Sequence, residues 1–149
     1  MSEPKEEQLL DPQIYKCLVQ NLREIKAINL KSLTISNVNH NLEGNLAVDL
    51  SYNYSDHIIK DDSFSVCTKF FIKAYCKEEQ NNIAFQIEFE LSIIYLIKDI
   101  KEFDRKYIDL YKKINMPLHV WPYARELVSS LTTRMGFAPL VIEPIVVSR

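Results

Sequence analysis

The stretch Met116–Pro144, MPLHVWPYARELVSSLTTRMGFAPLVIEP, decides the fold more than any other part of the chain. Pro117 and Pro122 predict a short extended crossover, because proline fixes φ and moves the preceding residue out of the helical region. Pro122 also suits the first turn of a helix, where its missing N–H costs no hydrogen bond. Gly136 predicts the left-handed end of that helix. We therefore expect a long helix over Pro122–Met135.

The predicted helix carries two neighbouring apolar stripes. Tyr123, Leu127 and Leu131 recur at every fourth position, which places them on one helix face. The second stripe consists of Ala124, Val128 and Met135. Together the stripes are wider than one flank of a single sheet can cover, so the helix predicts self-association.

The residues around this helix resemble the SecB family of export chaperones in order and spacing. That family carries a Cys-Pro-x-x-Leu-Phe-Pro-Tyr-Ala-Arg-Glu stretch, a helix, and then Arg-Gly-x-Phe-Pro-x-Leu-x-Leu-x-Pro. The matching residues here are Pro117, Trp121 to Glu126, Thr133, Arg134, Gly136, Phe137, Pro139, Leu140 and Pro144. The resemblance is strong over this third of the chain, and it continues more weakly back to Ile28.

Periodicity divides the rest of the chain into helices and strands. We expect residues 1–10 to be a disordered tail and residues 11–149 to form a single SecB-like domain. Aspartate followed by proline at positions 11 and 12 predicts a helix from Pro12 to Ala27. The apolar positions of Ile100–Ile114 predict another helix of about four turns. Apolar alternation predicts strands at Ser32–Ser36, Leu46–Tyr54 and Phe85–Tyr95, and the apolar character of both faces predicts a central strand at Ser63–Cys76. The resemblance extends the first strand back to Ile28.

This order of elements predicts an α+β fold. Short polar turns between the strands favour a four-stranded antiparallel meander. The resemblance implies the same sheet, with the long C-terminal helix packed as in SecB. Three features depart from the family. The helix at Pro12–Ala27 has no counterpart there, Ile100–Ile114 is more helical than the family's crossover, and the family's last helix and acidic tail are expected to be absent after Arg149.

Composition argues against several functional classes. The formal net charge is −2 and no basic run occurs, so no footprint for nucleic acid is expected. No apolar run is long enough to span a bilayer, and the acidic N-terminus is unlike a secretory signal, so no membrane insertion is expected. Three cysteines without CxxC spacing argue against a disulfide framework and suit a reducing cytoplasm.

No catalytic, metal or cofactor site is predicted. His40, His57 and His119 lack metal-ligand spacing. The first two lie in turn regions and are expected to be solvated, whereas His119 is expected to pack. Glu88 and Glu90 could pair as acid and base, but a solvated sheet face is the ordinary interpretation of such alternation. We therefore expect that the protein is not an enzyme.

The resemblance implies a cytoplasmic, ATP-independent holdase. Such a chaperone binds unfolded or nascent polypeptides in apolar grooves and keeps them translocation-competent or free of aggregation. Family members are homotetramers, dimers of dimers, in which the first strands meet across one contact and the long helices across the other. The residues expected in the groove are Leu118, Val120 and Trp121. The residues expected at subunit contacts are Tyr123, Leu127, Val128, Leu131, Leu33 and Ile35.

The resemblance also implies docking to the SecA translocase motor, whose zinc-binding tail meets an acidic sheet face in the family. Strand alternation predicts Glu88, Glu90 and Asp49 on one exposed face, and Glu88 matches an acidic position of the family. The family's acidic positions on the first strand are Ser32 and Ser36 here. We therefore expect SecA docking to be weakened, lost or replaced by another partner.

Other functional classes stay open. A SecB-like chaperone dedicated to a toxin–antitoxin system, or to another non-export client, fits the same scaffold. A small-ligand-binding or enzymatic α+β domain fits it as well, since fold does not fix function. A structural adaptor for one folded partner is a further alternative. A long open apolar groove would favour the holdase, and an enclosed pocket with convergent polar groups would favour the ligand-binding class.

Overall fold

The computed structural model describes residues 10–143, in which helices cover one face of an antiparallel sheet. Residues 1–9 of the predicted tail lie outside this range, as do residues 144–149 of the predicted domain. A single 3-10 turn at Ile100–Glu102 follows the last strand. The other elements, in chain order, are α1 (Pro12–Asn21), β1 (Leu22–Ser36), β2 (Leu46–Tyr54), β3 (Ile58–Lys60), β4 (Ser63–Cys76), β5 (Ile83–Ile97), α2 (Arg105–Ile114) and α3 (Met116–Arg134).

The strand order is β1-β5-β4-β2, and the short β3 pairs with the start of β4. The predicted α+β class and the antiparallel pairing are confirmed. The meander order is wrong, because β1 pairs with β5 rather than with β2. Five strands replace the predicted four, because the short β3 was not predicted. The loop after β1, residues 37–45, is too long for a tight hairpin. It instead carries the chain across the end of the sheet, where the Asn39 N–H donates to the Ala84 carbonyl oxygen at 2.8 Å.

The first helix is shorter than predicted. It begins as expected, with the Asp11 carboxylate accepting from the Gln13 N–H at 2.9 Å. It ends at Asn21 rather than at Ala27, and the chain continues directly into β1. The apolar positions Leu22 and Ile25 had extended the helical stripe, yet both pair with β5. Pairing with a long neighbouring strand therefore overrides local periodicity here.

The predicted extended crossover before Pro122 is also wrong. Helix α3 runs without a break from Met116 to Arg134 and contains Pro122. Proline in a helix lacks the N–H that would pair one turn back, which costs about 3 kcal/mol. Burial of Val120 and Ala124 on either side of it offsets this loss. Gly136 has φ of +89° and ends the helix as predicted.

The second predicted helix is confirmed only in its later part. Ile100 begins a separate 3-10 turn, and α2 starts at Arg105. The Asp104 side chain marks that start, because it accepts from the Lys106 N–H at 3.4 Å. The polar break between the two pieces turns α2 onto the sheet, where Tyr107, Ile108 and Tyr111 are buried.

The core lies between the centre of the sheet and α3. Alternate residues of β4 and β5 are buried, and they include Phe70 and Phe89, whose stacked ring centroids lie 4.9 Å apart. Helix α3 places Val120, Ala124 and Val128 over them with exposures of 1%, 0% and 0%. Such small side chains let the helix lie close to the sheet.

Two isoleucines on strands test this assignment of the core. Ile93 on β5 is fully buried, whereas Ile58 on β3 is 69% exposed. We expect Ile93→Ala to lower the free energy of unfolding by about 2–5 kcal/mol, because it removes buried methyl groups and leaves a cavity. Ile58→Ala should change it by less than about 0.5 kcal/mol. Urea denaturation followed by circular dichroism measures both, and equal effects would contradict the described core.

Candidate functional site

Helix α3 has two sides that face different halves of the sheet. On one side, the ring centroid of Trp121 lies 6.1 Å from that of Tyr52 and 5.7 Å from that of Phe70. On the other side, His119 Nδ1 lies 2.9 Å from the Tyr95 hydroxyl oxygen. Tyr52 belongs to β2 and Tyr95 to β5. We therefore call the Trp121 side of the helix the β2 side and the His119 side the β1 side.

The β1 side carries an open apolar surface. Tyr123, Leu127 and Leu131 follow His119 at successive four-residue steps and so lie on its side of the helix. Tyr123 is 54% exposed. On β1, two further apolar side chains pair with buried residues of β5 and so point to the helix-covered face. We call these five residues the apolar shelf: Tyr123, Leu127, Leu131, Leu33 and Ile35.

One residue predicted for the subunit contact lies elsewhere. Val128 has no exposed surface within the single chain and belongs to the core. Its position one residue after Leu127 rotates it by about 100° around the helix, toward the sheet. Val128 therefore cannot contact a second subunit while the helix stays in place.

The predicted groove residues are separated by the helical form of the crossover. Leu118 is 48% exposed, and Trp121 is partly buried against the sheet on the β2 side. Val120 is only 1% exposed and cannot line an open groove. Alternate residues of an extended crossover would have shared one side, but a helix turns Val120 inward between its neighbours.

A segment after α3, residues 138–143, folds back along the β2 side of the helix. We call it the C-terminal segment. Three hydrogen bonds join it to α3: Leu140 N–H to Thr132 Oγ1 at 2.9 Å, Arg125 Nε–H to the Ile142 carbonyl oxygen at 2.9 Å, and Trp121 Nε1–H to the Glu143 carbonyl oxygen at 2.6 Å. The order of these partners shows that the segment runs antiparallel to the helix.

Sequence reasoning missed these contacts. Leu140 and Ile142 are half-buried and buried, whereas Val141 between them is 64% exposed. The apolar alternation after Pro139 is the signal that could have revealed a packed segment. The pairing of Trp121 and Arg125 as donors could not be inferred in the same way. The predicted helix began at Pro122, so it did not place Trp121 one turn before Arg125 on the same helix side.

The predicted docking carboxylates do share the face of the sheet that the described helices leave open. Asp49 pairs with Lys73, and Glu90 pairs with Lys69. Glu88 is exposed, while Glu90 is half-buried. Because two of the three carboxylates face a lysine across the strands, this face has mixed charge and carries no strong acidic field.

The histidines differ from one another in their surroundings. His57 was expected to be solvated, but its side chain is only 8% exposed and its Nδ1 lies 3.8 Å from the Asp109 carboxylate. Burial, followed by the charge of buried Lys112, lowers the pKa of His57 below its ordinary value. His40 is exposed, as expected, and its ring stacks on Phe137 with centroids 4.7 Å apart.

Two kinds of feature are absent from residues 10–143. Between residues 10 and 143, no group of three or more histidine, cysteine or acidic side chains is placed to hold a metal ion. In the same range, no helix is both long and apolar enough to cross a membrane.

The sequence profile described as Preprotein translocase subunit SecB matches residues 19–148. The chain belongs to the SecB family. This match includes β1 to β5, both later helices and the C-terminal segment, and it begins within α1.

Relatives within the SecB family are similar at modest identity. The protein-export protein SecB of Bartonella quintana (strain Toulouse) is 31% identical over 98 residues, covering 66% of this chain and 58% of that protein. The protein-export protein SecB of Rickettsia typhi (strain ATCC VR-144 / Wilmington) is 26% identical over 125 residues, covering 84% of this chain and 79% of that protein. The chain thus spans 58% of the length of the Bartonella relative that it matches.

A solved SecB-like structure confirms the fold. The Mycobacterium tuberculosis Rv1957 SecB-like chaperone, in complex with a ChAD peptide from the Rv1956 HigA1 antitoxin, matches with a TM-score of 0.77 and 19% identity. The match covers 92% of this chain and 99% of the other. The SecB-like α+β architecture expected from the sequence is therefore confirmed.

The half-buried histidine on α3, His119, predicts a pH dependence of stability. Burial lowers the pKa of His119 below its ordinary value of 6.5. The unfolded chain then binds more protons than the folded chain below about pH 6.5, so stability is lost as pH falls through that value toward the folded pKa. The loss is at most about 1.4 kcal/mol per pH unit.

Urea unfolding between pH 8 and pH 5 measures this effect. His119→Gln should lose less stability on acidification than the unsubstituted protein, because glutamine does not titrate. Identical pH profiles for the unsubstituted protein and His119→Gln would contradict the assigned burial effect.

Proposed function

We propose that this protein is an ATP-independent holdase chaperone that binds extended segments of unfolded polypeptide. The observation that carries the proposal is the apolar surface left open at both borders of the helix-covered face. Leu30 and Leu118 are both 48% exposed, and Tyr123 is 54% exposed. Exposed apolar area of this extent marks surfaces that bind other polypeptides. Membership of the SecB family supports the same function.

The physics of such a holdase is differential affinity. A protein that binds only the unfolded form of a client stabilises that form by mass action, without ATP. Each apolar client side chain buried against the open surface contributes up to about 2 kcal/mol. Strand β2 forms one edge of the described sheet, so its outer backbone groups can pair with an extended chain. Such pairing does not depend on client sequence.

We place client binding on the β2 side, around Leu118 and Trp121, and self-association on the β1 side. The apolar shelf and the second edge strand, β1, lie together on that side. A homotetramer built as a dimer of dimers would cover both, and the cytoplasm is the proposed compartment. Two sides with separate tasks let the protein assemble and bind at the same time.

The mixed charge of the open sheet face favours a second candidate for the client and partner. Lys69 and Lys73 face Glu90 and Asp49 across the strands. Attraction of this face for the cationic zinc tail of SecA is therefore weak and screened by salt. This observation favours a SecB-like chaperone that serves a non-export client, such as an antitoxin. The Rv1957 chaperone, which was solved with an antitoxin peptide, offers an example on the same fold.

Suppression of aggregation tests the proposed holdase. We expect the protein to keep an unfolded model protein from aggregating without ATP, and Leu118→Ser to reduce this activity severalfold by removing exposed apolar area. Ile58→Ser is the matched control, since Ile58 is 69% exposed and points to the open face of the sheet through its pairing with Ser65. Failure of the unsubstituted protein to suppress aggregation would overturn the proposal. Equal loss in both variants would remove Leu118 from the site.

Light scattering tests the proposed assembly. Leu33→Asp should lower the molar mass in dilute solution, because it places a charge in the apolar shelf. Thr34→Asp is the matched control, since the next residue of the strand points to the opposite face. A monodisperse monomer for the unsubstituted protein, or an unchanged mass for Leu33→Asp, would contradict the proposed contact.

A further inference from the structure

The C-terminal segment is held to α3 in the manner of a bound peptide. We propose that residues 138–143 occupy the polypeptide-binding site of their own chain, and that a client displaces them. The proposed ligand is an extended, apolar polypeptide of any sequence with alternate side chains able to enter the groove. This inference rests on the proposed holdase function and names the site at which it acts.

The hydrogen bonds between the segment and α3 use only main-chain groups of the segment. Trp121 Nε1 and Arg125 Nε each donate to a main-chain carbonyl oxygen, at 2.6 and 2.9 Å. Thr132 Oγ1 accepts from a main-chain N–H at 2.9 Å. Every residue except proline offers both kinds of group. These three side chains can therefore bind another extended chain without reading its sequence, as a holdase requires.

The side chains of the segment alternate as those of a groove-bound peptide do. Ile142 is 5% exposed and enters the core cluster, whereas Val141 is 64% exposed and points away. Leu140 is half-buried on the inner side. An apolar client with the same alternation could fill the inner positions. The pocket that Ile142 occupies is thus a client subsite filled from within the chain.

Different contacts hold the two ends of residues 137–143. Phe137, just before the segment, stacks on His40 and lies 4.9 Å from the ring of Phe85. Beyond Pro139, Ile142 is the one fully buried side chain that the segment contributes among residues 138–143. Displacement must therefore withdraw Ile142 and break its neighbouring hydrogen bonds to Trp121 and Arg125, while Phe137 keeps the chain anchored.

Tethering sets the strength of this internal competition. A segment linked directly to its site acts at an effective concentration on the order of millimolar. A client must exceed that competition, so its apparent affinity falls in proportion to the fraction of molecules whose site is open. The closed site would also protect the apolar groove from self-aggregation when no client is present.

The single tryptophan of the chain reports on the site directly. Ile142→Ser should release the segment and shift the emission of Trp121 to longer wavelength. A synthetic peptide, Ala-Pro-Leu-Val-Ile-Glu, with the sequence of residues 138–143, should then restore the emission saturably. Val141→Ser is the matched control, because it alters the outward-facing neighbour and should leave both the emission and the site closed.

Client affinity gives the second readout. Ile142→Ser should bind an unfolded model protein at least about tenfold more tightly than the unsubstituted protein, since an opened site no longer competes with its own segment. If the segment were instead a fixed wall of the groove, the same variant would bind the client more weakly. Weaker or unchanged client binding, or no recovery of Trp121 emission with the peptide, would overturn the inference.

Hydrogen exchange in the unsubstituted protein covers the case in which Ile142→Ser fails to fold. The Leu140 amide, bonded to Thr132 Oγ1, should exchange faster when a client is bound, because the client replaces the segment. Slower or unchanged exchange would contradict displacement. Peptide recovery of Trp121 emission without any binding of unfolded proteins would keep the internal site and reject the holdase, so the two failures are distinguishable.

Discussion

The width of one helix against one sheet is the constraint on which the rest of the structure depends. An α-helix with its side chains is about 10 Å across, and neighbouring strands lie about 4.8 Å apart. One helix therefore covers about two strands. Helix α3 covers the centre of the sheet, where the stacked rings of Phe70 and Phe89 form the core. The apolar side chains of the two outer strands, β1 and β2, are left partly open as a direct consequence.

Both borders of the covered face carry partly exposed apolar side chains. On the β2 side, Ile142 of the C-terminal segment joins the core, while Leu46 and Val48 stay 40% and 39% exposed. On the β1 side, Leu33 and Ile35 stay 38% and 36% exposed. Edge strands with open backbone groups attract further strands. In the proposed assembly, a second copy would cover the apolar side chains at the β1 border, and an extended client would cover those at the β2 border.

Sequence reasoning succeeded where a pattern had a local cause and failed where distant pairing decided the outcome. The stop at Gly136 follows from its freedom at positive φ, and the alternation of β2 follows from a half-buried strand. The strand character of Leu22–Ala27 depends on β5, which comes much later in the chain. The prediction of an extended crossover fails for a related reason, since burial of Val120 outweighs the local preference of Pro122. Val120 leaves the predicted groove for the same reason, because the helix turns it inward, away from Leu118 and Trp121.

The chemistry of the two faces differs in a way that bears on partner choice. On the open sheet face, Lys69 and Lys73 balance two of the three carboxylates, so long-range charge cannot select a partner strongly. On the helix-covered face, Trp121 and Arg125 contact main-chain carbonyl oxygens, which all polypeptides share. In the proposed holdase, selection would come from the inner apolar subsites, where a fitting client side chain would replace Ile142. A client that fills those subsites gains apolar burial that a polar chain does not. In the proposed holdase, burial alone would distinguish unfolded apolar segments from folded surfaces.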